Sequence, residues 1–277
     1  KTNSSPPGRR CETETRPVPF PHHGEALLHV HKVGICGSDL HIFQGHLDHR
    51  VPMRNTIGHE VLAEVVEAGP GLRVARGDRV VVNPIVSGGA CRACTTGAYY
   101  LCYGLKILGV DAPGGMQQYW AVNAQNLISV PATVSDDDAA MLAPLAVATP
   151  HVARAPAKTP ERARVFWGGP IGALIALVAR AKGADVRVVE INPFRLQLLQ
   201  SLGFATIAPG QDTIGVVRDW TDGIGADVAF EVTGDPAVVT TITKVMRVWG
   251  TVSVIAIHAE PVPIDLYPVF ARELTIH

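Results

Sequence analysis

The sequence has little of what nucleic-acid-binding and membrane proteins need. Its 24 Lys and Arg residues nearly balance 25 Asp and Glu, so it carries no basic footprint for nucleic acid or an anionic membrane. Aromatic residues make up only 6%, which argues against a base-stacking surface. No apolar run reaches the roughly 18–20 residues of a membrane span, and the first ten residues contain no hydrophobic signal-peptide core. We therefore expect a soluble, cytoplasmic protein that binds neither nucleic acid nor membranes.

Cysteine is also scarce, and its distribution is uneven. The 277 residues contain five cysteines, and three of them fall within twelve positions. An odd, clustered set in a chain without a secretion signal favours metal binding or catalysis over a disulfide framework. The five are Cys11, Cys36, Cys91, Cys94 and Cys102.

The first half of the chain is typical of a compact, mostly β domain. Short β-type runs are broken there by Gly and Pro, as in many-stranded domains with tight turns. We place this domain at residues 1–145. The runs lie at 27–33, 61–69, 77–84 and 117–122.

The second half, residues 146–277, alternates strands and helices, which predicts a parallel sheet with right-handed crossovers. The hinge between the halves is expected within 135–160. The chain stops in RELTIH, which reads as the start of a strand, so we expect the C-terminal part of a six-stranded sheet to be missing. Strands are predicted at 163–167, 185–190, 226–232 and 251–257, and helices at 171–184, 193–203, 213–222 and 236–250.

A glycine-rich turn, WGGPIG at 167–172, joins the first of these strands to the first helix. Such a turn presents a helix N-terminus to a pyrophosphate, and Glu190, at the end of the next strand, suits the ribose hydroxyls of NAD. An acid there repels a 2′-phosphate, which favours NAD over NADP. Trp167 replaces the first glycine of the usual G-x-G-x-x-G pattern, so an ordinary strand–turn–helix is the alternative. The candidate cofactor-binding residues are Gly168, Gly169, Pro170, Ile171, Gly172, Glu190 and Arg195.

Two segments of the first half combine zinc's preferred ligands. VGICGSDLH (33–41) provides a thiol, a hydroxyl, a carboxylate and an imidazole, and IGHE (57–60) provides a second imidazole and carboxylate. A catalytic zinc needs three protein ligands and polarises an alcohol oxygen. Ser38 is a candidate proton relay, and Asp39 a candidate for orienting a ligand imidazole. Each residue alone has an ordinary structural interpretation, such as a buried cysteine. The candidates are Cys36, Ser38, Asp39, His41, His59 and Glu60.

A second metal candidate is Cys91-x2-Cys94-x7-Cys102. Close cysteine spacing of this kind suits a structural zinc lobe on a loop. Three thiolates leave one tetrahedral position to be filled, and the alternative is a loop with free cysteines.

Together these motifs resemble the zinc-containing medium-chain dehydrogenases, and more closely their sorbitol/polyol and threonine dehydrogenase branch. GICGSDLH, GHE, GDRV, the cysteine run, GGPIG and EINPFRL follow one another in that family's order. The resemblance implies an α/β protein: a GroES-like, mostly β catalytic domain followed by a doubly wound Rossmann domain. It also implies zinc, NAD, a secondary alcohol or ketone substrate, and a homodimer or homotetramer.

By this resemblance Cys36 and His59 match catalytic zinc ligands, Ser38 the proton relay, and Glu60 an acid beside the metal. The chain departs from the family at two further positions. Ala143 stands where the polyol branch has its acidic third ligand, and Gly88 stands where the structural zinc run begins with a cysteine. We therefore hypothesise that Cys36, His59 and Glu60 form the metal site.

Two other interpretations remain open at this stage. One is a catalytically silent, nucleotide-binding family member, which Ala143, Gly88 and Trp167 favour. The other is a zinc-free reductase of the quinone-oxidoreductase type, which has no need of the Cys36 and His59 pair. The residues do not identify the substrate.

Overall fold

The chain forms two compact units, residues 1–143 and 144–277. A computed structural model describes residues 11–155, 162–166, 168–258 and 260–277, with the backbone alone for 162–166. Trp167 lies outside the described residues. The division falls just inside a helix, Leu142–Arg154, within the segment where the sequence predicts the hinge.

The first unit contains an antiparallel sheet of five strands in the order β6-β1-β2-β3-β7. The chain between β3 and β6 forms a separate two-stranded sheet of β4 and β5. Single helical turns of the 3₁₀ type occur at Tyr99–Leu101 and Ala124–Asn126. The elements are β1 Glu25–Gly34, α1 Gly37–Gln44, β2 Glu60–Ala68, β3 Arg79–Val82, β4 Ile85–Val86, α2 Arg92–Thr95, β5 Lys106–Ile107, β6 Tyr119–Asn123, β7 Leu127–Ser129 and α3 Asp136–Ala140.

The larger buried cluster of this unit forms where side chains from neighbouring strands meet, and a smaller one contains Leu62 and Val81. Leu28 of β1, Val61 of β2 and Trp120 of β6 belong to one cluster, and each is at most 4% exposed. The register between β1 and β2 places Gly34, the last residue of β1, opposite Glu60, the first residue of β2. This pairing brings the CGSD segment after β1 next to the GHE segment before β2.

The second unit is a six-stranded parallel sheet in the order β10-β9-β8-β11-β12-β13. With helices between successive strands, this is the doubly wound order of a dinucleotide-binding fold. The predicted fold class is confirmed. The elements are α4 Leu142–Arg154, β8 Arg162–Phe166, α5 Pro170–Ala181, β9 Asp185–Val189, α6 Pro193–Ser201, β10 Ala205–Ile207, α7 Thr213–Trp220, β11 Ala226–Glu231, α8 Pro236–Ile242, β12 Met246–Val254, α9 Leu266–Ala271 and β13 Thr275–Ile276.

Central strand β11 shows why helices cover this sheet on both faces. Val228 and Phe230 join one buried cluster with residues of α5 and α6. The intervening Ala229 joins another with residues of α7 and α8. Successive strand residues point to opposite faces, so a strand with buried apolar residues at successive positions, such as 228–230, requires cover on both sides.

One prediction for this unit is wrong. The helix predicted over 236–250 ends at Ile242, and Met246–Val254 forms strand β12. Met246 pairs with Ala226 of β11, and from Thr251 onward β12 pairs with both β11 and β13, so these backbone groups bond to neighbouring strands rather than within a helix. Strand β13 pairs with β12 as the sixth strand of this sheet. No helix among the described residues is long and apolar enough to cross a membrane.

Candidate active site

The first metal candidate is a three-residue cluster formed by Cys36, His59 and Glu60. One ligand atom from each residue lies within 4.8 Å of the others. Cys36 directly precedes α1, and Glu60 begins β2. A sulfur, an imidazole nitrogen and a carboxylate oxygen form a donor set that zinc accepts. The residues predicted as ligands are therefore brought together, whereas Ala143 provides no donor.

Asp39 lies beside both Cys36 and His59, two predicted zinc ligands that are more than twenty residues apart in the sequence. Its Oδ2 accepts a hydrogen bond from the backbone N–H of Cys36 at 2.8 Å, which also caps the start of α1. Its Oδ1 lies 3.7 Å from Nδ1 of His59. Both of these atoms are buried and make no hydrogen bond among the described residues. An imidazole whose Nδ1 faces a carboxylate presents Nε2 to a metal, so this unpaired couple fits a metal-ligand histidine.

Interactions within the cluster lower the pKa of Cys36 and raise the pKa of His59. Burial acts to raise the pKa of Cys36, but hydrogen bonds involving His59 and Ser38 lower that pKa overall. Burial acts to lower the pKa of His59, and Cys36, Asp39 and Glu60 raise it overall. Burial raises the pKa of Glu60, partly offset by His59 and Cys36. The protonation of the three residues is therefore coupled, and each pKa depends on the neighbouring members of the cluster.

Gly34 makes room for the Glu60 carboxylate. A Cβ atom at position 34 would overlap Oε2 of Glu60 and lie 3.1 Å from its Cβ. The absence of a side chain at the end of β1 therefore lets the carboxylate reach toward Cys36 and His59. The sequence analysis did not identify this residue, although Gly34 stands two positions before Cys36.

The predicted catalytic residues Ser38 and His41 lie one turn apart on α1. The Oγ of Ser38 is 3.3 Å from Nε2 of His59, so the hydroxyl belongs to the cluster. His41 contacts His46, with 2.9 Å between their Nδ1 atoms, and His46 is exposed. Ser38 therefore lies beside His59, whereas His41 lies beside the exposed His46.

The second metal candidate is also assembled. The sulfur of Cys91 lies 3.5 Å from that of Cys94 and 3.8 Å from that of Cys102. Hydrogen bonds from the backbone N–H groups of Tyr103 and Cys94 lower the pKa of Cys91 to about 6. Burial and the two neighbouring thiols raise the pKa of Cys94. All five cysteines are free thiols.

The glycine turn after β8 leads into α5 as the sequence predicts. Gly169 precedes the helix, Pro170 is its first residue, and Gly172 is buried in its first turn beside the half-buried Ile171. Pro suits this first position because its missing N–H is not needed there. A helix start after a parallel strand is the usual place for a phosphate. The effect of Trp167 lies outside the described residues.

Glu190 has a position that its sequence context did not reveal. It is 1% exposed, and its carboxylate accepts hydrogen bonds from the backbone N–H groups of Gly168, Ile191 and Asn192 at 2.7–2.8 Å. Nη1 of Arg195 lies 3.8 Å from the same carboxylate. The acid therefore joins the glycine turn to the end of β9.

Sequence reasoning missed a buried pair at the carboxyl ends of β11 and β12. Glu231, fully buried, accepts hydrogen bonds from the backbone N–H groups of Thr233 and Gly234. Its other oxygen is 3.0 Å from Nε2 of His258. The pair orders two loops at the edge of the sheet where open α/β folds bind ligands. A carboxylate between Phe230 and Val232, near the end of the predicted strand ADVAFEV, was the available signal.

Comparison with known proteins agrees with this geometry. Residues 22–132 match the alcohol dehydrogenase GroES-like domain family, and residues 170–277 match the zinc-binding dehydrogenase family. The 2-dehydro-3-deoxy-L-galactonate 5-dehydrogenase of Pseudoalteromonas atlantica is 40% identical over 258 residues, which is 92% of this chain and 76% of that relative. The L-threonine 3-dehydrogenase of Pyrococcus horikoshii is 34% identical over 278 residues, 98% of this chain and 80% of the relative.

This chain belongs to the zinc-binding medium-chain dehydrogenases. A crystal structure of an alcohol dehydrogenase from E. coli CFT073, complexed with NADH, shares the fold with a TM-score of 0.86 and 29% identity, covering 94% of this chain and 77% of the other. The family predicted from the motifs is confirmed, as are its enzyme class and its use of zinc and a nicotinamide dinucleotide. The chain is an oxidoreductase of hydroxy compounds, and the silent alternative is not supported.

Proposed function

We propose that this dehydrogenase interconverts a secondary alcohol of a polyol or sugar-acid compound and the corresponding ketone, with NAD as hydride carrier. The observation that carries the proposal is the convergence of Cys36, His59 and Glu60 within 4.8 Å. Among the described residues no other His, Cys, Asp or Glu joins this group. In this assignment Glu60 replaces the acid that the polyol branch has at position 143.

The three residues would hold zinc, which in such a site stabilises negative charge on the oxygen of the substrate. The chain's own contribution is orientation. Asp39 fixes the backbone at Cys36 and faces Nδ1 of His59, which sets the direction of both ligands. Gly34 leaves the space that the Glu60 carboxylate occupies.

The proton of the substrate hydroxyl needs a path to solvent, and α1 offers one. Ser38 Oγ, beside His59, accepts the proton and passes it on. His41 lies three residues later on the same helical face and contacts the exposed His46. We assign Ser38 as the relay group and His41 as the next proton acceptor.

The cofactor assignment rests on the turn at 168–172 and on Glu190. The N-terminus of α5 suits a pyrophosphate. A negative charge at the end of β9, held by Gly168, disfavours the 2′-phosphate of NADP. The E. coli CFT073 relative was crystallised with NADH, which supports NAD. Arg195, near Glu190, is the remaining predicted cofactor contact.

The first test is the zinc content of the purified protein. We expect about two zinc ions per chain if both clusters bind metal, and one fewer in a Cys36→Ala variant. Cys11→Ala is the matched control, since Cys11 is an exposed free thiol outside both clusters. If Cys36→Ala retains as much zinc as Cys11→Ala, the assignment of Cys36 as a ligand is wrong.

The second test is turnover of secondary alcohols and sugar acids with NAD and with NADP. Activity with NAD that Cys36→Ala abolishes and Cys11→Ala retains supports the proposal. Activity that survives complete chelation would instead favour the zinc-free reductase.

We further propose a cytoplasmic homodimer or homotetramer, because free clustered thiols suit a reducing compartment and the resemblance implies oligomers.

A further inference from the structure

The lobe that carries the three remaining cysteines is a small substructure of its own. Strands β4 and β5 pair at its base, with Ile85 opposite Ile107 and Val86 opposite Lys106. Between them, Cys91 directly precedes the short helix α2, Cys94 lies within it, and Cys102 follows the 3₁₀ turn Tyr99–Leu101. Local backbone structure therefore fixes all three sulfurs.

The sulfur spacing already matches a metal site. The Cys91 sulfur lies 3.5 Å from that of Cys94 and 3.8 Å from that of Cys102. In a tetrahedral zinc site with Zn–S bonds near 2.3 Å, the edges between sulfurs are roughly 3.8 Å. Two edges of the sulfur triangle thus match the edges of such a tetrahedron, and all three sulfurs lie within 4.8 Å of one another.

None of the residues that the structure describes provides a donor at the fourth corner, so the four-cysteine site that the family resemblance implies does not fit. Residue 88 is glycine, and its N–H lies 3.4 Å from the Cys102 sulfur. A Cβ added there would be 4.0 Å from that sulfur, a distance suited to a cysteine side chain. Among the described residues, no fourth His, Cys, Asp or Glu joins the group.

Solvent reaches the side of the cluster that lacks a protein ligand. Residues Gly88, Gly89 and Ala90 are all exposed, and Cys91 and Cys94 are partly exposed. Cys102 is only 7% exposed, so protein covers the cluster on the Cys102 side. A ligand from solution therefore has access to the corner beside Gly88.

We propose that this lobe binds zinc through three thiolates and takes its fourth ligand from solution: water, which a low-molecular-weight thiol displaces. Four-coordinate zinc with three protein ligands characterises open sites, whereas structural sites are closed by four. Zinc prefers thiolate to water at such a position. The lobe is then an exchangeable, thiol-responsive metal site. This inference does not depend on the substrate or on catalysis at Cys36.

The test is zinc K-edge absorption of the Cys36→Ala protein, in which only the lobe is expected to hold zinc. In thiol-free buffer we expect about one zinc with three sulfurs near 2.3 Å and one oxygen or nitrogen near 2.0–2.1 Å. Addition of 2-mercaptoethanol should convert the shell to four sulfurs. Gly88→Cys in the same background should show four sulfurs without added thiol.

Gly104→Cys is the matched control, because a Cβ added at Gly104 of the same lobe meets nothing within 4 Å. It should retain the three-sulfur shell. Release of zinc to a colorimetric chelator should slow by roughly tenfold or more in Gly88→Cys and stay unchanged in Gly104→Cys.

Three results would overturn the proposal: four sulfurs in thiol-free Cys36→Ala protein, fewer than three sulfurs, or no zinc together with a Cys91–Cys94 disulfide. If Cys36→Ala does not fold, cadmium-113 NMR of the wild-type protein replaces it, because the two sites give separate resonances. A lobe resonance that shifts on addition of 2-mercaptoethanol supports the proposal, and one that is insensitive to the thiol contradicts it.

Discussion

At the scale of single residues, Asp39 connects local folding to the chemistry of the site. Its Oδ2 caps α1 through the N–H of Cys36, while Oδ1 faces His59. One carboxylate therefore sets the positions of two proposed zinc ligands that come from different segments. The sequence analysis predicted the contact with an imidazole, but the cap on Cys36 emerges only from the start of α1 at Gly37.

We predict that Asp39→Asn lowers zinc affinity at the first cluster by about 10–100-fold, the usual effect of losing an outer partner of a metal-bound histidine. The measurement is competition with a chelator, monitored by the zinc retained per chain. Asp78→Asn is the matched control, since Asp78 caps a turn at Ala75 in the same unit. Equal zinc retention in both variants would contradict the role given to Asp39.

Gly34 gives a second residue-scale prediction, because its Cβ would displace the Glu60 carboxylate. Gly34→Ala should weaken zinc binding at the first cluster by roughly tenfold or more while the fold is retained. Gly69→Ala is the control, as a Cβ at Gly69 meets nothing within 4 Å. If Gly34→Ala holds zinc as tightly as the control, Glu60 is not the third ligand.

At the scale of elements, the periodic strands and helices were predictable and the short or mixed ones were not. Strands β1, β2, β9 and β11 follow strand-like runs of six to nine residues, and they lie where the sequence predicts them. The eight-residue helix α1 was missed because GSDLHIFQ combines Gly, Ser and Asp with few apolar residues. Helices α3 and α4 were read as a hinge.

The candidate site was predictable in composition but not in arrangement. Cys36, His59 and Glu60 were selected because of their donor types and their likeness to a family motif. Their convergence depends on the β1–β2 register, which places Gly34 opposite Glu60, and a one-residue slip in register would reverse every side chain. Similarly, no sequence pattern indicated that Glu190 turns inward to Gly168.

Glu190 joins two elements, the turn before α5 and the end of β9, and this gives an element-scale prediction. Glu190→Gln replaces one accepting oxygen with a donor that faces backbone N–H groups. We expect the free energy of unfolding to fall by about 1–3 kcal/mol, and discrimination against NADP to weaken because the charge is lost.

The measurements are urea denaturation and titration of the protein with NADH and NADPH by fluorescence. Glu260→Gln serves as the control because Glu260 is exposed. Unchanged stability in Glu190→Gln would refute the bridging role of the buried carboxylate. Unchanged preference for NADH would refute its role in cofactor selection.

At the scale of the whole molecule, the candidate zinc sites and the candidate dinucleotide site belong to different units. Both thiol-containing clusters lie within residues 1–143, and the glycine turn with Glu190 lies within 144–277. Each unit has its own buried core. Metal binding therefore stabilises one unit directly, whereas a dinucleotide stabilises the other, since each ligand favours the folded state that contains its site.

This division predicts a regional response to metal removal. Because zinc binding contributes to folding only where its ligands are fixed, chelation should increase amide hydrogen exchange at 34–62 and 85–107 and leave 170–232 unchanged. Addition of NADH should instead slow amide hydrogen exchange near 168–192 and leave the first unit unchanged. Hydrogen-exchange mass spectrometry reports both regions in one experiment. An equal increase across both units after chelation would show that they unfold as one cooperative body, and the assignment of metal stability to the first unit would then be wrong.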